Sequence, residues 1–279
     1  APAVVAERGA DGAVRLRSPH PLPEYPRKLT ERLDHWAAQA PERVFLAQRG
    51  PDGAWLRLGY AQARDRARRI AQALIERRLS AERPVVVLSG NDFEHALLEL
   101  GALYAGIPYA PVSPAYSLLS NDFAKLKQVI GLLTPGLVFA SQRGPFQPAI
   151  AAAVPAGVEI VHGDDFHRLE ARAATGAVDD AHDGVGPDTI AKFLLTSGST
   201  GEPKAVINTQ RMWCANQAMI ASALQFFTDE PPVVVYWAPW HHTAGGNHDV
   251  GLALYNGGTF YIDEGKPLPG AIEHTVRNL

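Results

Sequence analysis

The sequence predicts an α/β fold in which two largely parallel sheets are covered by helices. Three observations carry that expectation. Short, continuous apolar runs recur, such as Val85-Val86-Val87-Leu88, and a run without polar alternation belongs to a strand covered on both faces. Between these runs lie stretches whose apolar residues fall at helical spacing. The two kinds of segment alternate along the chain, as they do in the strand–helix–strand units of a parallel sheet. The 279 residues suffice for one large domain or two smaller ones.

Each element follows in order. Residues 1–26 are rich in Pro, Gly and Arg, show little periodicity and read as an N-terminal surface arm. Leu29, Leu33, Trp36 and Ala37 begin a helical pattern, and Ala63, Ala67, Ile70, Ala71 and Leu74 form a clearer one. The second helix also carries Arg64, Arg66, Arg68 and Arg69, expected to form a solvated basic face. After the strand at 85–88, Asn91 or Asp92 can cap a helix that buries Phe93, Ala96, Leu97, Leu100 and Leu103 and ends at Gly106. Strands are expected at 109–112, 137–140 and 158–161, with a helix at about 122–133. The polar, glycine-rich stretch 175–188 (TGAVDDAHDGVGPD) reads as a boundary. It divides a first α/β lobe, 27–180, from a second, 181–279. In the second, strands are expected at 190–195, 204–208, 233–236 and 259–262, and helices at 210–224, about 247–255 and from 270 onward.

Composition excludes several classes. Hydrophobic content of 46% and charged content of 20% are those of a globular protein with a core. A net charge of −3 gives no bulk attraction to nucleic acid or to an anionic membrane. No apolar run approaches the roughly 20 residues that span a bilayer, and the N-terminus lacks the apolar core of a signal peptide. The lone cysteine, Cys214, makes neither an internal disulfide nor a thiolate cluster. A reducing, cytoplasmic compartment is the expectation.

The most informative segment is 196–204 (TSGSTGEPK). Phe193-Leu194-Leu195 leads into a loop of hydroxyls and glycines, and Ala205-Val206-Ile207 leads out. Glycines let backbone N–H groups approach an anion closely, the hydroxyls add donors, and Lys204 adds a full positive charge. Such a set suits a polyphosphate. It is not a Walker A loop, which needs G-x-x-x-x-G-K-S/T followed at once by a helix. Here Glu202 and Pro203 separate the last glycine from the lysine, and a strand-like run follows.

This segment resembles the signature of the adenylate-forming superfamily, which includes acyl-CoA synthetases, aryl-CoA ligases, luciferases and peptide-synthetase adenylation domains. Two further stretches are similar: 100–116 (LGALYAGIPYAPVSPAY) and 238–246 (APWHHTAGG). The words WHHTAGGN, GGTFYIDEGKP and PLPEYPRKLTERLDHWAAQAPER look most like feruloyl-CoA synthase-type ligases. The resemblance runs from about Pro21 to the last residue. It implies that Thr196, Ser197, Gly198, Ser199, Thr200, Gly201 and Lys204 hold the phosphates of ATP, with Thr200 a candidate hydroxyl for Mg²⁺. It also implies that His242 lies against the substrate carboxylate and the α-phosphate, where it can donate to developing negative charge. Lys204 and His242 are thus the candidate catalytic residues. Gly245 and Gly246 are expected to leave room for a flat acyl group, with Trp237 and Trp240 either walling that pocket or packing in the core. A metal shared by His241 and His242 is not expected, since adjacent residues on a strand point to opposite faces.

The reaction implied is adenylation of a carboxylic acid by ATP with Mg²⁺, then transfer of the acyl group to CoA, with ferulate or another hydroxycinnamate as the acid. The adenine-binding loop, the ribose-binding aspartate and the small C-terminal domain with its lysine, all implied by the resemblance, have no counterpart in 1–279. The chain is therefore expected to be a weakly active or inactive portion of such an enzyme. Two alternatives stand beside this reading: a ligase for fatty or other acids, and a non-catalytic nucleotide-binding module.

Overall fold

The computed structural model describes residues 3–196 and 203–279. A hairpin of β1 (Val5–Arg8) and β2 (Val14–Arg17) opens the chain, followed by α1 (Thr30–Gln39), β3 (Val44–Arg49), β4 (Trp55–Gly59) and α2 (Tyr60–Glu76). Next come β5 (Val85–Leu88), α3 (Phe93–Ala105), β6 (Tyr109–Pro111), the single turn α4 (Ala115–Leu118) and α5 (Ala124–Leu133). They are followed by β7 (Leu137–Ala140), α6 (Arg143–Ala153), β8 (Glu159–His162) and α7 (Gly176–Gly184). The remainder comprises β9 (Ile190–Thr196), β10 (Lys204–Thr209), α8 (Gln210–Ala223), β11 (Val233–Tyr236), α9 (Val250–Asn256), β12 (Thr259–Ile262) and α10 (Ile272–Asn278).

Two larger sheets result. The six-stranded sheet runs β10-β9-β6-β5-β7-β8 and is parallel except where β10 returns antiparallel along its edge. The four-stranded sheet runs β11-β12-β3-β4, with only β4 antiparallel. Side-chain alternation explains why the central strands read as continuous apolar runs. Val85, Val87, Leu137 and Phe139 enter one core, shared with α2, α3 and the second sheet. Val86, Leu88, Val138 and Ala140 enter a separate core under α5 and α6. Both faces are covered, so neither set of alternate residues is polar.

Local chemistry sets the central helices. The Asp92 carboxylate caps α3 by accepting from the His95 amide at 2.7 Å. Gly106, at φ +67°, ends the helix in the left-handed conformation. Gly101 lets α3 approach α2, because a Cβ there would strike Ile70. The arginines of α2 are not a free basic face. Arg64 pairs with Asp34 at 2.5 Å, Arg66 with Glu170 at 2.6 Å, Arg68 with Asp179 at 2.8 Å and Arg69 with Asp65 at 2.7 Å. Three of these four pairs tie α2 to other parts of the chain.

Two expectations change, and two strands appear where none was marked. The stretch 175–188 is not an open boundary, since it contains α7. Thr175 caps that helix and is held by Gln72, while Val178 and His182 are buried. The two sheets do not divide at residue 180 either: β9 and β10 complete the sheet of β5 to β8, whereas β3 and β4 join β12. Finally, β3 and β4 are strands that periodicity did not mark. Their turn, Pro51-Asp52-Gly53, is a strong local turn sequence, with Gly53 at φ +77°. Among the described residues no helix is long and apolar enough to cross a membrane.

Candidate functional site

The segment at 196–204 joins the two antiparallel strands β9 and β10, and Thr196 lies directly opposite Lys204 in their register. Both residues are exposed, so the hydroxyl and the ammonium stand at the mouth of the connection. Ser197, Gly198, Ser199, Thr200 and Gly201 lie outside the described residues. The strand that enters is anchored firmly. Ala191, Lys192 and Leu194 are buried, and the β9–β10 ladder runs from Thr196↔Lys204 back to Ile190↔Thr209.

The second landmark is the turn at 238–249. Its entry is clamped by Asn91, in the loop between β5 and α3. Asn91 donates through Nδ2 to the Ala238 carbonyl at 2.9 Å and accepts through Oδ1 from the Trp240 amide at 3.0 Å. The backbone then turns, with the His242 amide donating to the Pro239 carbonyl at 3.1 Å and the Gly246 amide to the His242 carbonyl at 2.9 Å. A wide π-type turn, Thr243–Asp249, passes into α9. Gly245 and Gly246 are buried within it. A Cβ on Gly245 would collide with the carbonyl oxygens of Ala238 and Pro239, and one on Gly246 with that of Trp240. Their small size therefore lets the turn close on itself; it does not open space for a ligand.

His241 and His242 lie in the turn, and their rings sit 4.4 Å apart, tilted by 43°. Burial, with His242 and His95 nearby, pulls His241 down to about 4, so it is neutral at neutral pH. His242 is exposed. Among the described residues there is no group of three or more His, Cys, Asp or Glu side chains able to hold a metal ion. That does not conflict with Mg²⁺ carried mainly by substrate phosphates, which needs only one or two protein ligands.

Two cavities meet at this turn. A small one of about 150 Å³ is lined by Pro111, Ser113, Tyr116, Leu195, His241 and His242. It brings His242 together with the end of β9. A larger one of about 620 Å³ opens beside it, with Leu118, Leu119, Trp237, Pro239 and Ile262 among its apolar walls. His241 lines both cavities. The larger cavity lies at the carboxyl ends of β5, β6, β11 and β12, the end at which parallel α/β sheets bind ligands. Of the two candidate walls, Trp237 faces this cavity. Trp240 is buried in the core, edge-on to His95 and Phe260.

Sequence reasoning missed two residues. The sequence marks Asn91 only as a possible helix cap, but its amide fixes the His242 turn. Lys192 falls within an apolar strand, yet it is a fully buried cation. A lysine inside Ile-Ala-Lys-Phe-Leu-Leu was the signal.

A model of the AMP-binding enzyme family matches residues 33–278, and the chain belongs to that family. Among curated relatives, the phenyloxazoline synthase MbtB of Mycolicibacterium paratuberculosis is 31% identical over 219 residues, covering 71% of this chain and 16% of the relative. The long-chain-fatty-acid–CoA ligase ACSBG1 of Homo sapiens is 25% identical over 293 residues, covering 97% of this chain and 39% of the relative. The chain thus spans well under half the length of these relatives. A fatty acyl-adenylate ligase from L. pneumophila, solved with acyl adenylate and pyrophosphate, superposes with a TM-score of 0.67 at 20% identity. That match covers 84% of this chain and 39% of the other, and it is a likeness of fold.

Proposed function

We propose that the chain carries the carboxylate-activating site of an ATP-dependent acid:CoA ligase acting on a hydroxycinnamate such as ferulate. The observation that supports this most is that His242 shares a cavity with Leu195, at the end of the strand that feeds the TSGSTG loop. In this reading Thr196, Ser197, Gly198, Ser199, Thr200, Gly201 and Lys204 grip the β- and γ-phosphates of ATP. Lys204 stands exposed for that role at the mouth of the β9–β10 connection. His242 donates to the carboxylate and α-phosphate oxygens as charge develops. Bound Mg²⁺ supplies charge neutralisation across the phosphates, with Thr200 as its candidate protein hydroxyl.

The chemistry runs in two steps. A carboxylate oxygen attacks the α-phosphorus, the bond to the β-phosphate oxygen breaks, and pyrophosphate leaves. The CoA thiolate then attacks the acyl carbon, the bond to the adenylate oxygen breaks, and AMP leaves. The apolar cavity beside His241, with the flat Trp237 in its wall, suits an aromatic acyl chain. The WHHTAGGN wording supports the aryl assignment in the same direction. Gly245 and Gly246 shape the turn under His242, where a Cβ would meet backbone carbonyl oxygens.

The test is pyrophosphate release by the full-length protein with ferulate, coumarate and octanoate. Ferulate is expected to be the best of the three. Octanoate equal to ferulate would overturn the aryl assignment, and no release with any carboxylic acid would overturn the adenylation reading. Lys204→Ala is expected to lose most of the release while keeping its fold, because the side chain is exposed.

A further inference from the structure

We infer that Lys192 is a positioning residue: a buried cation from which two chains of contact run to the two ends of the turn that carries His242. Its part in a reaction rests on the adenylation reading above; its part in placing the turn does not.

The first chain runs through α8. The Lys192 ammonium lies 3.7 Å from the centroid of the Trp213 ring. Trp213 in turn donates through Nε1 to the Asn247 carbonyl at 2.9 Å, and Gln217 donates to the same oxygen at 2.7 Å. Asn247 is the far end of the turn, and its Nδ2 donates to Asn208 of β10 at 3.1 Å. The second chain runs through β6 and α3. Lys192 donates to the Tyr109 hydroxyl at 2.9 Å and lies 3.9 Å from a Glu99 carboxylate oxygen. Edge-on to Tyr109 is His95, whose ring also meets Trp240 at 5.3 Å. Trp240 immediately precedes His241 and His242. The lysine itself stands on β9, the strand that leads to Thr196.

A buried ion pair is a poor source of net stability, and an apolar residue of similar volume commonly serves as well. A fully buried lysine with a single nearby carboxylate among the described residues therefore calls for another reason, and its contacts supply one. It couples the strand entering the phosphate loop to both sides of the His242 turn. The groups facing the ammonium are Glu99 and His95 from α3, Tyr109 from β6 and Trp213 from α8. Burial holds His95 below its ordinary value, which leaves Glu99 as the opposing charge. Burial likewise draws Lys192 down to about 8, opposed by Glu99, so its charge is lost in the mildly alkaline range.

The experiment uses the full-length protein and the variants Lys192→Met, Lys192→Arg and Glu99→Gln. Rates of pyrophosphate release are followed from pH 6.5 to 9.5 with saturating and limiting ATP. Imidazole carbon–proton NMR spectra are recorded beside them. In Lys192→Met, kcat is expected to fall about tenfold, as a misplaced group far from the chemistry can cause. KM for ATP should stay within about twofold, and the alkaline decline should vanish. Lys192→Arg should recover part of kcat. Glu99→Gln should move the alkaline decline to lower pH, because it removes the charge that keeps Lys192 protonated. The His242 resonance should move in Lys192→Met while that of the exposed His20, which none of these contacts reaches, stays. Were no acid to support pyrophosphate release, the proposed function would fail, and the His242 resonance would still decide the positioning role. An unmoved His242 resonance with an unchanged pH profile overturns the inference. Should Lys192→Met not fold, Glu99→Gln supplies both readouts.

Discussion

Replacing Lys192 by Met should change how stability depends on pH, and the size of the change follows from the site. The side chain is 0% exposed, and burial draws its folded-state value from 10.5 to about 8. Below pH 8 the lysine is protonated in both states, so folding carries the full cost of burying the ammonium. Between 8 and 10.5 the native state has lost the proton and the unfolded chain still holds it. Stability then rises with pH, since the unfolded state binds more protons. At about 1.4 kcal/mol per pH unit, that interval amounts to about 3 kcal/mol. Met titrates nowhere, so the difference in unfolding free energy between wild type and Lys192→Met isolates the lysine. Urea unfolding of both proteins at half-unit steps from pH 7 to 10.5 measures it. The wild type should gain about 3 kcal/mol on the variant across the series. Parallel profiles would refute the reasoning, because they would mean that the ammonium is solvated or fully compensated in the native state.

Further outcomes are expected elsewhere. Asn91→Ala should cost about 1–3 kcal/mol in chemical unfolding, because the Trp240 amide and the Ala238 carbonyl lose their partner, and pyrophosphate release should fall with it. Gly245→Ala should cost about 1–3 kcal/mol in the same assay, as overpacking against two carbonyl oxygens does; an unchanged unfolding midpoint would contradict the closed turn. His182, drawn by burial to about 4, is neutral in the native state and charges more readily when unfolded. Stability should therefore fall as pH drops from 6.5 to 4, and His182→Leu should flatten that part of the profile. Arg66→Ala should cost no more than about 1 kcal/mol, since its pair with Glu170 remains partly solvated.

The elements most legible in the sequence were those whose environment is uniform along their length. Val85–Leu88 and Leu137–Ala140 have both faces buried, so a plain apolar run marks each strand to the residue. Helix α3 carries its own start and stop in Asp92 and Gly106. Elements set by distant contacts were hard to read. Helix α7 is short and polar, and it forms because Gln72 holds Thr175 while His182 packs against Tyr104 at 4.6 Å. Strand β3 has its parallel partner, β12, at the other end of the chain. For the site, the loop and His242 were visible as words, but their neighbours were not. Gly245 looks like room in a sequence, and only the carbonyls beneath it show that the space is already taken.

The sharing of strands between the two sheets explains why those neighbours matter. The chain builds β3 and β4, leaves to build the six-stranded sheet, and returns with β11 and β12 to finish the first. The turn bearing His242 lies on that return path, between β11 and β12, and so belongs by connection to the four-stranded sheet. The loop after Thr196 belongs to the other sheet. A site that needs both must hold two sheets in fixed relation, and hydrogen bonds within either sheet cannot do so. Among the contacts that can are side chains crossing the gap: Asn91 from the loop after β5, Trp213 and Gln217 from α8, and His95 from α3 against Trp240. Asn91, His95, Trp213 and Gln217 all lie outside the segments 196–204 and 238–246. Substitutions at these positions should therefore alter the alignment of the site while leaving its signature residues untouched.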